Sequence, residues 1–155
     1  MQVSPAGEQF IKREEALRLR AYDDGVGCQT IGWGHVIKPE DGIDCNKSIS
    51  KQKAQDLLDK DLREVDRALS RLIKVEVNQD QYDALASFVF NLGENKVRDS
   101  TLFRKLNHGE FSEVDNELAR WVYAGGKIMD GPDGKSGLVG RRRREGQLFN
   151  GQPIN

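Results

Sequence analysis

From Ser50 onward the apolar residues change period. Ala54, Leu57, Leu58, Leu62, Val65, Leu69 and Leu72 recur at helical spacing. Lys51, Lys53, Asp59, Lys60, Arg63, Glu64 and Arg67 occupy the opposite face. The spacing predicts one amphipathic helix of roughly 24 residues, about 36 Å long. A chain of 155 residues must arrange everything else around such a rod. The segments on its two sides differ in pattern, so the helix is expected to connect two lobes.

Before it, Ser4-Pro5 is a helix start, a capping hydroxyl followed by proline at the first helical position. That helix is expected to reach about Glu14. Leu17 to Tyr22 alternates apolar and long polar residues, as a strand does. Asp23-Asp24-Gly25 with Gly27 is turn chemistry, and Cys28 to His35 reads as a returning strand. Gly32 and Gly34 weaken that strand and permit close backbone approach. Pro39 to Asn46 reads as a loop, with room for a third short strand beside it.

After the long helix, Asn78 with Gln81 forms a capping-box-like start. Tyr82 to Leu92 is a strongly apolar helix that Gly93 stops. Ser100 caps a short helix ending near His108-Gly109, and Ser112 caps another through Leu118 and Ala119 to Trp121. Gly125 to Gly137 is a glycine-rich loop, and Leu138 to Phe149 is a last helix closed by Gly151. The expected fold class is α+β within one domain, 1–155. It has a β-containing N-terminal lobe (about 15–49), a connecting helix (50–74) and an all-helical lobe (75–155). Helix 4–14 is expected to pack on the helical lobe.

Composition narrows the function classes. Hydrophobic residues make up 37% and no long apolar run occurs, which argues against a membrane span. Charged residues make up 32%, but 24 Lys plus Arg against 25 Asp plus Glu leave a net charge of -1. A dedicated nucleic-acid binder is usually basic overall. The first ten residues lack a basic start followed by an apolar stretch, so no export signal is expected. Cys28 and Cys45 are too few for a disulfide scaffold. They read as reduced thiols, with a single disulfide as the alternative. His35, His108 and two separated cysteines offer no convincing metal-ligand spacing, so no metal or cofactor is expected.

The informative segment runs from Glu14-Glu15 through Asp23-Asp24 to Thr30-Ile31-Gly32-Trp33-Gly34-His35. Carboxylates at a helix end and in a turn can converge on one opening. Glycoside hydrolysis needs two such groups flanking the scissile bond. With 25 acidic residues, a solvated surface turn explains the same spacing.

The run resembles the active-site segment of the phage-type lysozymes, glycoside hydrolase family 24. That pattern is Glu, eight residues, Asp, five residues, Thr, then a glycine-rich strand ending in Gly-His. The chain has only two threonines, Thr30 and Thr101, so Thr30 anchors the register, which selects Asp24 over Asp23 and Glu15 over Glu14. Gln81 to Gly93 and Ser100-Thr101-Leu102 resemble further blocks of the family. Arg120 to Gly126 and Gly137 to Arg142 are similar to closing blocks of its lambdoid-phage branch. The resemblance spans nearly the whole chain in order.

It implies a lysozyme-like fold and an endolysin, a muramidase cutting the β-1,4 bond between N-acetylmuramic acid and N-acetylglucosamine in peptidoglycan. By that resemblance Glu15 is the general acid, and Asp24 and Thr30 hold water on the other face of the sugar. Inversion requires a carboxyl gap of about 6.5–9.5 Å. Val36, Phe90, Asn91 and Thr101 match positions lining the sugar cleft, with Ser100 as the alternative to Thr101. His35 is expected to support the site structurally, and Arg141 to pair with Glu15. Phe88 and Trp121 read as core.

Arg141 to Arg144 lie about 100° apart around a helix, so they cannot all face one partner. The implied setting is the bacterial host cytoplasm, with a separate holin opening the membrane, no nucleic-acid partner, and a monomer. Competing readings are a virion-associated or bacteriocin-type muramidase and a non-catalytic peptidoglycan-binding module.

Overall fold

The computed structural model describes residues 1–21, 29–131 and 137–155. Two compact units divide the chain, Gln9–Glu64 and the pair of segments Met1–Glu8 and Val65–Asn155.

Helix α1 spans Pro5–Glu15. Its start is capped as expected, with Ser4 Oγ accepting the Gly7 N–H at 3.0 Å. In the Gln9–Glu64 unit, α1 is followed by two short antiparallel strands, β1 (Thr30–Ile31) and β2 (His35–Val36). The expected single strand from Cys28 to His35 is therefore a hairpin folded on itself. Gly32 and Gly34 both take left-handed backbone (φ 67° and 68°), and that turns the chain between the strands. Residues 17–21, the described part of the expected Leu17–Tyr22 strand, do not form a strand. Arg18 makes a single bridge, exchanging two backbone bonds with Gly32 at 2.9 and 2.7 Å, and Leu19 O accepts the Ile49 N–H at 2.7 Å. Pro39–Asp41 forms a single 3-10 turn.

Ser50 starts α2, which spans Lys51–Leu72, 22 residues. Its apolar stripe is buried at Ala54, Leu57, Leu58, Leu62, Val65, Leu69 and Leu72, as the spacing predicts. Phe10, Ile11, Ile31 and Trp33 are also buried in the Gln9–Glu64 unit. Cys45 is disulfide-bonded, so the expectation of free thiols fails there; Cys28 lies outside the described residues.

The larger unit is built mainly from helices. These are α3 (Gln79–Leu92), α4 (Glu94–Val97), α5 (Thr101–Asn107), α6 (Val114–Leu118) and α7 (Gly137–Phe149). The Asn78–Gln81 capping box and the Gly93 stop appear as expected. Tyr82 to Val89 are all buried, the signature of a helix surrounded by others. Helix α3 packs along α7, which also meets α6, while α5 packs on α6. Phe88 lies in the resulting core, edge-on to Trp121 at 5.5 Å between ring centroids.

Two local expectations fail here. Ser112 sits inside a 3-10 turn, Phe111–Glu113, and does not cap α6. The glycine-rich stretch opens inside a hairpin, with strand β3 (Tyr123–Ala124) just before it and β4 (Lys127–Ile128) within it. Gly125 and Gly126 both adopt positive φ between them, the two-residue turn that matches strand twist. The amino-terminal segment joins this unit through Asp83, which accepts the Ser4 N–H at 3.0 Å, and Asp66, which accepts the Val3 N–H at 3.1 Å. Among the described residues no helix is long and apolar enough to cross a membrane.

Candidate active site

Glu15 is the last residue of α1 and is half-buried. The chain leaves the helix abruptly after it, because Ala16 is left-handed at φ 58°. The Glu15 carboxylate lies against the β2 hairpin. A side-chain carbon added at Gly34 would overlap it. Gly34 thus meets two requirements, a left-handed φ and room for the carboxylate. Sequence reasoning noted that this glycine permits close backbone approach, but not that the Glu15 carboxylate is what approaches it.

Side chains alternate across the hairpin. Thr30 and Val36 are cross-strand partners on the exposed face, and Ile31 and His35 are partners on the buried face. Val36 is 60% exposed. Asp24 lies outside the described residues.

His35 is buried and held from both sides. Its Nδ1 is 2.8 Å from Asp61 Oδ2 on α2, and its Nε2 is 2.8 Å from Asp41 Oδ2 in the 3-10 turn. Asp41 Oδ2 also accepts the Lys38 N–H at 2.8 Å. A neutral imidazole has one N–H, so both contacts are hydrogen bonds only if the ring is doubly protonated or one carboxyl holds a proton. Burial pushes the Asp61 carboxyl above its ordinary value, against the opposing pull of the His35 bond and charge. Burial also pushes Asp41 up, but His35, the Lys38 N–H and Lys60 together outweigh it and hold that carboxyl below its ordinary value. His35 therefore ties the hairpin to two acids that sequence reasoning did not single out. Asp61 carried a readable signal: it interrupts the apolar stripe between Leu57, Leu58, Leu62 and Val65. A carboxylate there needs a buried partner.

The other candidate residues belong to the larger unit. Phe90 is partly buried and packs against the core. Asn91 Oδ1 accepts a hydrogen bond from Arg142 Nη2. Thr101, also partly buried, opens α5, and its Oγ1 accepts from Arg104 Nη2 at 3.5 Å. Ser100 is buried and caps α5 by accepting the Phe103 N–H, which favours a structural role for it.

The arginine run splits between core and surface, as its angular spacing requires. Arg141 and Arg142 are buried, and Arg143 is exposed. Glu145, fully buried, receives Arg142 Nη1 at 2.5 Å, Arg141 Nε at 3.4 Å and Ser87 Oγ at 2.6 Å. Arg141 Nη2 also donates to Ser87 Oγ at 3.2 Å. The Arg142 guanidinium lies 5.3 Å from the Phe88 ring centre and donates to Trp121 O at 3.1 Å. The two buried arginines are thus fixed to one buried acid, and Asn91 is held by Arg142. Among the described residues no cluster of three His, Cys, Asp or Glu is arranged to hold a metal ion.

Comparison with known proteins adds independent findings. The phage lysozyme family matches residues 12–145. The endolysin of Salmonella phage P22 is 40% identical over 150 residues, 96% of this chain and 98% of that protein. The crystal structure of a P22 lysozyme mutant shares the fold with a TM-score of 0.77 and 39% identity, over 97% of this chain and 99% of that one. The muramidase domain of SpmX from Asticaccaulis excentricus shares it with a TM-score of 0.81 and 29% identity, over 96% and 97% of the two chains.

Proposed function

Because the chain belongs to the phage lysozyme family, we propose that it is an endolysin muramidase that hydrolyses the β-1,4 bond between N-acetylmuramic acid and N-acetylglucosamine in peptidoglycan. The observation that carries this reading is the Glu15 carboxyl, presented at the end of α1 and seated against the Gly34 backbone. Glu15 protonates the leaving glycosidic oxygen. Thr30, exposed on β1 beside Val36, has a hydroxyl free of the core and orients water together with Asp24. Attack from the face opposite the leaving group follows the inverting scheme, in which one carboxyl acts as acid and the other as base.

The position of Arg141 is set by Glu145 and Ser87. Val36, Phe90, Asn91 and Thr101 contact the glycan. The enzyme works as a monomer and reaches the wall from inside the host once a separate holin has opened the membrane.

The test is product chemistry. Digestion of purified peptidoglycan releases fragments with N-acetylmuramic acid at the reducing end. Fragments that end in N-acetylglucosamine, or free amino groups from peptide cleavage, would overturn the assignment. Asp24→Asn removes most activity while Asp23→Asn leaves it largely intact; the reverse ranking refutes the register.

A further inference from the structure

Within the larger unit, the C-terminal end of α2, the turn before α5 and α5 itself line a separate open cleft of about 410 Å³. Its framework is set in advance. The Asn107 amide bridges two walls, donating to Leu72 O at 2.9 Å and accepting the Lys74 N–H at 2.8 Å. Buried Leu72 and Phe103 close the floor.

Four cations line this cavity: Arg71, Lys74, Arg98 and Arg104. Arg71 is neutralised by two bonds to Glu94, at 2.8 and 2.6 Å. The Glu94 charge also acts on Arg98, whereas Lys74 and Arg104 make no ion pair among the described residues. Arg98 donates to Asn95 Oδ1 at 2.6 Å and Arg104 to Thr101 Oγ1 at 3.5 Å, both neutral acceptors. Asp99 is the one carboxylate in the lining, and it makes no ion pair among the described residues. Four cations thus stand against two acids, Glu94 and Asp99, in a chain whose total charge is -1.

We propose that this cavity binds a phosphate group carried on a sugar, the chemistry of a phosphorylated envelope glycan. Two guanidinium forks and a mobile ammonium match the several oxygens of a phosphate. The volume falls within the range of about 300–1,000 Å³ typical of small-ligand sites and leaves space for a sugar beside the phosphate. Binding at this site does not depend on the muramidase reading. Its consequence, retention of the enzyme on phosphate-bearing walls, rests on that reading.

The experiment is an NMR titration of the full chain with glucose 6-phosphate. Glucose and potassium chloride at matched ionic strength serve as controls, and phosphatidylglycerol vesicles form a separate arm. The expected result is saturable shifts at Lys74, Arg98 and Arg104 with the phosphosugar alone. The double variant Lys74→Ala, Arg98→Ala should bind about ten-fold more weakly or worse, with an otherwise unchanged spectrum and unchanged hydrolysis of phosphate-free peptidoglycan. The charge-matched Lys51→Ala, Arg63→Ala control should bind as the wild type does. Shifts that fail to saturate, that potassium chloride reproduces, or that persist in the Lys74 and Arg98 variant overturn the proposal. So does vesicle binding without a phosphosugar response, which points to a lipid surface instead.

Discussion

Ala16 is the one residue other than glycine with positive φ among those described. An L-residue in that conformation is disfavoured by roughly 1–2 kcal/mol. The strain lies immediately after Glu15, where the helix must end for the carboxyl to reach the hairpin. Ala16→Gly should therefore raise stability by about 1 kcal/mol, read as a higher urea midpoint with an unchanged slope. Gly34→Ala should do the opposite, since the added carbon meets the Glu15 carboxylate. Its activity should fall by about 100-fold, the usual effect of misplacing a reacting group by an ångström, and kcat should fall much more than KM. An equal loss in both would mean that Gly34 serves substrate binding instead. At this scale the sequence was partly legible. The order and spacing of Glu15, Thr30 and the two glycines could be read directly. That Gly34 faces Glu15 could not, because the contact depends on a hairpin turn within a segment whose apolar pattern suits one strand.

His35 ties β2 to the 3-10 turn and to α2, and the two acids around it respond to pH in opposite ways. Asp41 titrates below its ordinary value of 3.8, so its stabilisation is full above that pH and is lost as pH falls through the lower folded value. Asp61 titrates above its ordinary value. Its ionised form is therefore disfavoured by folding at neutral pH, and protonation on acidification relieves this. Asp41→Asn should flatten the acid loss of stability below pH 3.8, whereas Asp61→Asn should steepen it just above that pH. Urea unfolding at a series of pH values separates the two, and parallel curves for both variants would contradict the assignment.

The α3–α7 junction rests on a different kind of charge pairing. Glu145 ion-pairs with two buried arginines, so Glu145→Gln should destabilise by about 3–5 kcal/mol, the usual result of stripping one partner from a buried ion cluster. Thermal unfolding measures it directly. The helices of both units were largely legible, because caps and apolar stripes are local signals. The strands were not. Each pairs only two residues, too few for alternation to show, and β4 lies within a run that reads as loop by composition. Ser112 failed as a cap because a 3-10 turn absorbs it before α6 begins.

At the scale of the whole chain, the balanced charge hides unlike regions. The Glu15 segment interleaves acids and bases, while α7 buries two arginines and a separate cavity gathers four cations against two acids. The Val65–Asn155 unit surrounds α3 with helices, whereas the other unit's hairpin is two residue pairs long. Amides of Leu85 to Phe88 should exchange with solvent only through global unfolding, and those of β1 and β2 through smaller, cheaper openings. Equal protection in both places would contradict two units of unequal stability. The long helix was legible because its stripe spans both units, and the disulfide at Cys45 was not, because two cysteines alone do not specify a bond.

The central claim is that Glu15 supplies the proton that cleaves the glycan. The direct measurement is the clearing rate of permeabilised bacterial walls by wild type and by Glu15→Gln, with folding verified by matching thermal unfolding. Loss of a general acid should slow clearing by about 10²–10⁴-fold. A Glu15→Gln variant that folds and clears walls at the wild-type rate would contradict the account.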